Sequence, residues 1–248
     1  MANYLCHEEI NTWSERLRIT FTLLRFGWIV NPFSGKILFG LYTPHCKCKS
    51  LKLLRHGKTI AVDRNEFMSN TSENSALTQE GIEEIKEVAQ DLFHHIPDVI
   101  LLAPLKRTVD TFRILQSQIE CNLPVINCPY MLGINNSVWE EKQLEMLDDT
   151  NLYIFLQREY AHNIFAKSKY GDSWGDVLLR CSKLIWAINK DYKGKEILLI
   201  SQGSIYQGLK ILLHHSNKPW DGYSANAMFC AKPSREKPVG YGKLFHIC

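Results

Sequence analysis

The chain has no long uninterrupted apolar run. Its most apolar early stretch, Ile19 to Val30, is broken by Arg25 and is much shorter than the roughly 20 residues a membrane span requires. No membrane association is expected. A Lys/Arg-rich block is also missing, and a formal charge of +3 over 248 residues is too small to imply nucleic-acid binding. The eight cysteines lack the short repeated spacings of a disulfide framework, and no secretory leader is read at the start of the sequence. Reduced thiols and a cytoplasmic location are therefore expected. Internal repeats and low-complexity segments are absent, which excludes solenoid and linker architectures.

What is present is ordinary for a folded soluble protein, with 45% hydrophobic and 22% charged residues. The length suits one domain with an appendage and is enough to bury a sizeable core. His45, Cys46 and Cys48 carry ligand-type side chains, but no second cysteine or histidine pair with zinc-finger spacing follows. No metal and no cofactor are expected on that basis.

In the first segment, Arg16, Arg18, Thr20 and Thr22 alternate with Leu17, Ile19, Phe21 and Leu23, a period of two that predicts a half-buried strand. Two further β-type runs, Arg25 to Val30 and Ile37 to Tyr42, flank NPFSGK, whose proline and glycine suit a turn. Residues 1–49 thus read as a β-rich extension ending in a small meander. Its simplest role is to cover a sheet edge or make a homodimer contact, and a substrate lid is the sharper alternative.

From residue 50 to 248 short apolar runs alternate with amphipathic helices, the pattern of an α/β domain. A three-layer α/β/α arrangement with a largely parallel central sheet is expected. Strands are predicted at Leu51 to Arg55, Asp98 to Ala103, Val125 to Cys128, Glu196 to Ser201 and Ala225 to Ala231. The helix after Thr78 places Ile82, Ile85, Ala89 and Leu92 on one stripe, with Glu80, Glu83 and Glu84 early, where they suit the helix dipole. A second, from about Trp174, carries Val177, Leu178, Cys181, Leu184, Ile185 and Ile188. Both stripes read as core.

The chemistry lies where strands end. LLRHGKT, from Leu53 to Thr59, is an apolar strand running into Arg55, His56 and Gly57. Lys106 and Arg107 follow a second strand, and Gln202 and Gly203 a third. In an open α/β sheet, ligands bind outside the carboxyl ends of the strands, so the three pairs converge on one crevice. A neutral imidazole nitrogen is a competent nucleophile near neutral pH, and guanidiniums offer paired donors matched to phosphate. The expected substrate is a phosphorylated small molecule. Lys58, Arg64 and Lys106 add local positive charge, and the polar segment from Asp63 to Ala76 should overhang the pocket.

At this point the chain resembles the histidine phosphatase superfamily, in its phosphoglycerate-mutase-like branch. LLRHGKT is similar to the nucleophile motif and ALTQEGIEEIKEVAQDL to the helix after it. DVILLAPLKRTVDTFRIL resembles the strand and helix that carry the second phosphate arginine. VWEEKQLEML, GDSWGDVLLR and ILLISQGSIYQGL match three later segments in order, so the resemblance covers about residues 51 to 231. It implies that His56 takes the phosphoryl group while Arg55 and Arg107 grip its oxygens, after which water hydrolyses the phosphohistidine. Gly57 would let the backbone turn close to the ligand. Thr59 would add a hydroxyl near the pocket or cap the turn.

Two departures from the family pattern stand out. Where the family has a second histidine, this chain has Gln202 between Ser201 and Gly203, an amide that can donate a hydrogen bond but carries no charge. Counting back from Trp139 to the family's proton-donating glutamate reaches Gly133. Glu140 and Glu141 are the nearest carboxylates for that role. A substrate with a good leaving group, such as an acyl phosphate or anhydride, would need no strong acid. A phosphohydrolase is the leading expectation. A catalytically impaired protein that binds a phosphorylated ligand or a protein partner, and a phosphotransferase or mutase, are the alternatives.

Overall fold

The computed structural model describes residues 10–40, 45–68, 76–93, 95–119, 123–161, 163–213 and 241–248. The expected strand at Ala225 to Ala231 and much of the Asp63–Ala76 segment lie outside them.

The first element corrects an expectation. Residues 16–23 are not a strand but the middle of a helix, α1 (Trp13–Arg25). Thr12 and Glu15 form a reciprocal capping box: Glu15 accepts from the Thr12 amide at 2.7 Å, and the Thr12 hydroxyl accepts from the Glu15 amide at 3.4 Å. The alternating pattern contains Ile19 and Leu23, four residues apart, and these alone are fully buried. Leu17 and Phe21, which a strand would have buried with them, are exposed. The helix leads into a two-stranded antiparallel hairpin rather than a meander, made of β1 (Trp28–Val30) and β2 (Ile37–Gly40) around the expected turn.

The remaining α-helices and strands are β3 (Ser50–Arg55), α2 (Ile60–Asp63), α3 (Gln79–Phe93), β4 (Val99–Leu102), α4 (Lys106–Gln118), β5 (Val125–Asn127), α5 (Asp149–Glu159), α6 (Trp174–Asp191), β6 (Glu196–Ser201), α7 (Gly203–Leu213) and β7 (Leu244–His246). The central sheet has the order β5-β4-β6-β3-β7. Its first four strands are parallel, and β7 adds antiparallel to β3. Four of the five expected strands appear within a residue or two of their expected bounds; β7 was not expected.

Alternation along the sheet builds both faces of the core. Leu51, Leu53, Val99, Leu101, Ile197 and Leu199 face one way, and pack with α1, α6, α7 and the hairpin tryptophan Trp28. Leu54, Ile100, Leu102, Leu198 and Ile200 face the other way, against Ile85, Ala89 and Leu92 of α3 and Leu115 of α4. With helices on both faces the strands read as continuous apolar runs, which is why they were visible in the sequence. The architecture is the expected three-layer α/β/α fold. No helix among the described residues is long and apolar enough to cross a membrane.

Candidate active site

Because β3, β4 and β6 are parallel neighbours, His56, Arg107 and Gln202 emerge at the same end of the sheet. His56 follows β3 directly and is buried, at 1% exposure. Its amide donates to Ser201 O at 3.0 Å, and its carbonyl accepts from the Gly242 amide at 3.2 Å. The ring nitrogen Nδ1 lies 2.8 Å from Gly57 O. A carbonyl can only accept, so Nδ1 carries the proton and Nε2 presents its lone pair. Burial, and then the charges of Arg107 and Arg55, hold the imidazole well below its ordinary pKa. The ring is neutral at physiological pH, with its nucleophilic nitrogen defined by one hydrogen bond.

Gly57 has a packing reason to be glycine beside the one expected. A Cβ there would meet Gly81 O at 2.6 Å and Ile85 Cδ1 at 2.7 Å, and a Cβ at Gly81 would meet the Lys58 backbone. The first turn of α3 is seated on the segment after the histidine, and side chains are excluded at both contacts. From the other side, the Gly57 amide donates to Thr111 Oγ1 at 3.2 Å, and that hydroxyl donates to Arg107 O at 2.7 Å. The acceptor of the histidine proton is held between α3 and α4.

The two arginines converge on this histidine. Arg107 lies in the first turn of α4 and is 4% exposed. Burial pushes its guanidinium down to about 10, against the opposing influence of Glu140 and Tyr241. The Arg55 guanidinium stacks on the Tyr241 ring, 3.6 Å from its centroid, and the His56 ring stands 5.6 Å from the same ring. Gly203, the first residue of α7, lies against the Arg55 guanidinium, where a Cβ would approach Cζ to 3.4 Å. Two guanidiniums and the amino-terminal ends of α4 and α7 thus concentrate positive potential around a neutral imidazole. A dianionic group is the natural complement of such a site.

Gln202 is 5% exposed, and its carbonyl opens α7 by accepting from the Ile205 and Tyr206 amides. Its side chain does not cap the helix. The amide oxygen is 3.3 Å from Ser201 Oγ, while Nε2 is a buried donor with no hydrogen-bond partner among the described residues. The space beside it belongs to Gly133: a Cβ there would lie 3.0 Å from Gln202 Oε1 and 3.1 Å from Ser204 Oγ. Arg180 fixes the Gly133 carbonyl from α6 at 2.8 Å. The two departures from the family pattern are therefore spatial neighbours, with the glutamine side chain against the glycine.

The other expected residues divide. Glu140 faces Arg107 electrostatically and its amide donates to Ser137 O, whereas Glu141 is exposed and its amide donates to Phe67 O. Thr59 is fully buried and donates to Met68 Sδ at 3.3 Å, and its side chain makes no cap bond to α2. Lys58 is engaged by Asp63 at 2.6 Å and Glu80 at 2.7 Å, and Lys106 by Asp110 at 2.6 Å, so acidic neighbours offset both charges. Arg64 is exposed near Glu66. Tyr241 was missed by sequence reasoning. The glycines around it hint at a turn, but its partner Arg55 becomes visible only once β7 pairs with β3.

The family profile described as histidine phosphatase superfamily (branch 1) matches residues 51–227. No curated protein matches the chain. Among solved structures, the alpha-ribazole phosphatase from Shigella flexneri is similar over 78% of this chain and 87% of its own, at 22% identity and a TM-score of 0.61. A phosphoserine phosphatase from Entamoeba histolytica, in complex with 3-phosphoglyceric acid, covers 64% of this chain and 76% of its own at 26% identity and a TM-score of 0.53. Phosphoglycerate mutase from Bacillus anthracis is similar over 66% and 79%, at 17% identity and a TM-score of 0.54.

Proposed function

The chain belongs to the histidine phosphatase superfamily, and from that premise we propose that it is a phosphohydrolase acting on a small phosphorylated metabolite through a phosphohistidine at His56 Nε2. The observation that carries this reading is the Nδ1 hydrogen bond to Gly57 O, which leaves Nε2 unprotonated beside the buried Arg107 and the half-buried Arg55 guanidiniums. Nε2 attacks phosphorus, the ester or anhydride bond breaks, and the leaving oxygen takes a proton from solvent or departs as an anion. Arg55 and Arg107 hold the phosphoryl oxygens through the transition state, where preorganised donors count most. Water then attacks the phosphohistidine, releasing phosphate and restoring the imidazole. Glu140 orients Arg107, a positioning role supported by their electrostatic contact.

The solved relatives support the substrate class, since one is a phosphatase for phosphoserine and another for alpha-ribazole phosphate. With no carboxylate at Gly133, we read the substrate as one with a good leaving group. The test is a rapid, acid-free quench of enzyme mixed with acetyl phosphate or p-nitrophenyl phosphate, followed by mapping of the phosphoryl adduct. Label on His56 is expected. Label on another residue in an active preparation sinks the assignment.

The Gln202–Gly133 contact favours a second reading, in which the arginines bind a phosphorylated ligand that is not turned over. Gln202→His separates the two. A slowed phosphatase gains a charged donor and should accelerate by roughly 10-fold, the equivalent of about 1.4 kcal/mol. A site specialised around the amide should lose affinity with no gain in rate.

A further inference from the structure

At the opposite end of β3 from His56, three sulfurs meet. Cys46 and Cys48 lie in the segment that leads into β3, and Cys248 comes after β7. Cys46 Sγ is 3.2 Å from Cys48 Sγ, Cys48 Sγ is 3.9 Å from Cys248 Sγ, and all three sulfurs lie within 4.8 Å of one another. A tetrahedral zinc ion with bonds of about 2.3 Å sets its sulfur ligands about 3.8 Å apart. The cluster already has nearly that spacing. Sequence reasoning dismissed the Cys46–Cys48 pair for want of a second pair nearby, and the third sulfur comes from 200 residues away.

The backbone, and not the sulfurs, holds this geometry. The Leu51 amide donates to Cys248 O at 2.8 Å and the Ile247 amide to Leu51 O at 2.8 Å, which extends the β3–β7 ladder to the cysteine. On the other side, the Lys47 amide donates to Asn189 Oδ1 at 2.7 Å, the Asn189 side-chain amide donates to His45 O at 3.2 Å, and the Gly194 amide donates to Lys47 O at 2.9 Å. The cysteine-bearing turn is thereby pinned to the carboxyl-terminal end of α6. Three half-buried or exposed thiols gain little from one another, since sulfur is a weak donor and a weak acceptor. A disulfide would join two of them and leave the third.

We propose that Cys46, Cys48 and Cys248 bind one zinc ion as three thiolates, with the fourth coordination position open to water. Each thiol gives its proton to solvent as its Zn–S bond forms, and the resulting site carries one net negative charge next to Lys47. The ion would fasten the leading edge of β3 to the strand that closes the sheet. It lies apart from the phosphate crevice and takes no part in the chemistry there.

The test uses the full chain, reduced and stripped with a chelator, then titrated with zinc in competition with a chromophoric indicator. One ion per chain is expected. Cobalt(II) in its place should show thiolate-to-metal charge-transfer absorption scaling to three sulfurs, and zinc should shield three thiols from a disulfide reagent. Cys248→Ser, with Cys248→Ala as a second variant that adds no polar group, should weaken binding by at least the roughly 100-fold that loss of even an outer partner costs a metal site. Zinc should raise the unfolding midpoint of the parent chain and leave that of a folded Cys46→Ser/Cys48→Ser variant unmoved. Cobalt spectra without sulfur bands, affinity unchanged in the folded variants, or an intact mass two hydrogens lighter after air exposure with no metal retained would each overturn the proposal. The last outcome would identify a disulfide pair instead.

Discussion

The two ends of β3 are built by the same partner strand and have opposite characters. At the carboxyl end, β7 brings Tyr241 beneath Arg55 and the Gly242 amide onto the His56 carbonyl. At the amino end, the residues after β7 bring Cys248 to Cys46 and Cys48. One end is buried, cationic and ordered around an imidazole held neutral. The other is half exposed and rich in soft, weakly bonding sulfur. The difference shows what an antiparallel edge strand can contribute to an otherwise parallel sheet: its two flanks reach opposite ends of the same neighbour. Eight residues, 241–248, thereby contribute to two side-chain clusters of unrelated chemistry.

If the two ends are independent, changes at one should leave the other untouched. The largest effect should come from His56→Ala, which should lower kcat on an activated phosphate ester on the order of 10⁴-fold or more while zinc affinity at the cysteines is unchanged. Conversely, Cys48→Ser should abolish tight zinc binding with turnover intact; a parallel loss of both properties in either variant would break the comparison. Next in size is Arg107→Lys, expected to reduce kcat/KM on the order of 100- to 1000-fold, because a point charge cannot reproduce the guanidinium's paired donors. Steady-state kinetics with the fold checked by circular dichroism decides it.

The pH response sharpens the contrast further. Burial and the two arginines hold the folded-state pKa of His56 well below 6.5, so kcat/KM should show no acid limb centred on that value. In the unfolded chain the same histidine takes up a proton near pH 6.5, so the unfolded state binds more protons and stability falls as pH drops below that value. The contribution is up to about 1.4 kcal/mol per pH unit. Chemical denaturation at pH 7.5 and 5 should show this loss in the parent and a smaller one in His56→Ala. The smallest expected effect is that of Tyr241→Leu, which removes the ring under Arg55 and should cost about 3- to 10-fold in kcat/KM, the range of a partly desolvated cation–π contact. An unchanged value would remove Tyr241 from the site.

The sheet was legible because strands covered on both faces must be apolar throughout, and β3, β4 and β6 announce themselves that way. His56 and both arginines were legible as candidates because they stand at strand ends, where parallel topology gathers them. Residues 16–23 misled because a run of alternating residues can contain a buried pair four apart, and the Thr12–Glu15 capping box that starts the helix went unread. β7 was not legible, since three residues of Leu, Phe and His become a strand only by pairing with β3. Everything that depends on that pairing was hidden with it, including Tyr241 and the third sulfur. Gly133 and Gln202 were each noted in the sequence, but their contact belongs to the fold.

The interlocked glycines at 57 and 81 decide how sharply the His56 ring is aimed. A histidine on a yielding loop would sample many headings, and only a small fraction of its encounters would line up with the departing oxygen. Here Gly57, whose carbonyl accepts the hydrogen bond from Nδ1, is wedged between the backbone of α3 and the Thr111 hydroxyl, so its freedom is set by the absence of two methyl groups. The ring inherits that narrow bearing. The heading of Nε2 is thereby settled during folding, and chemistry proposed at that nitrogen would start from a preset alignment.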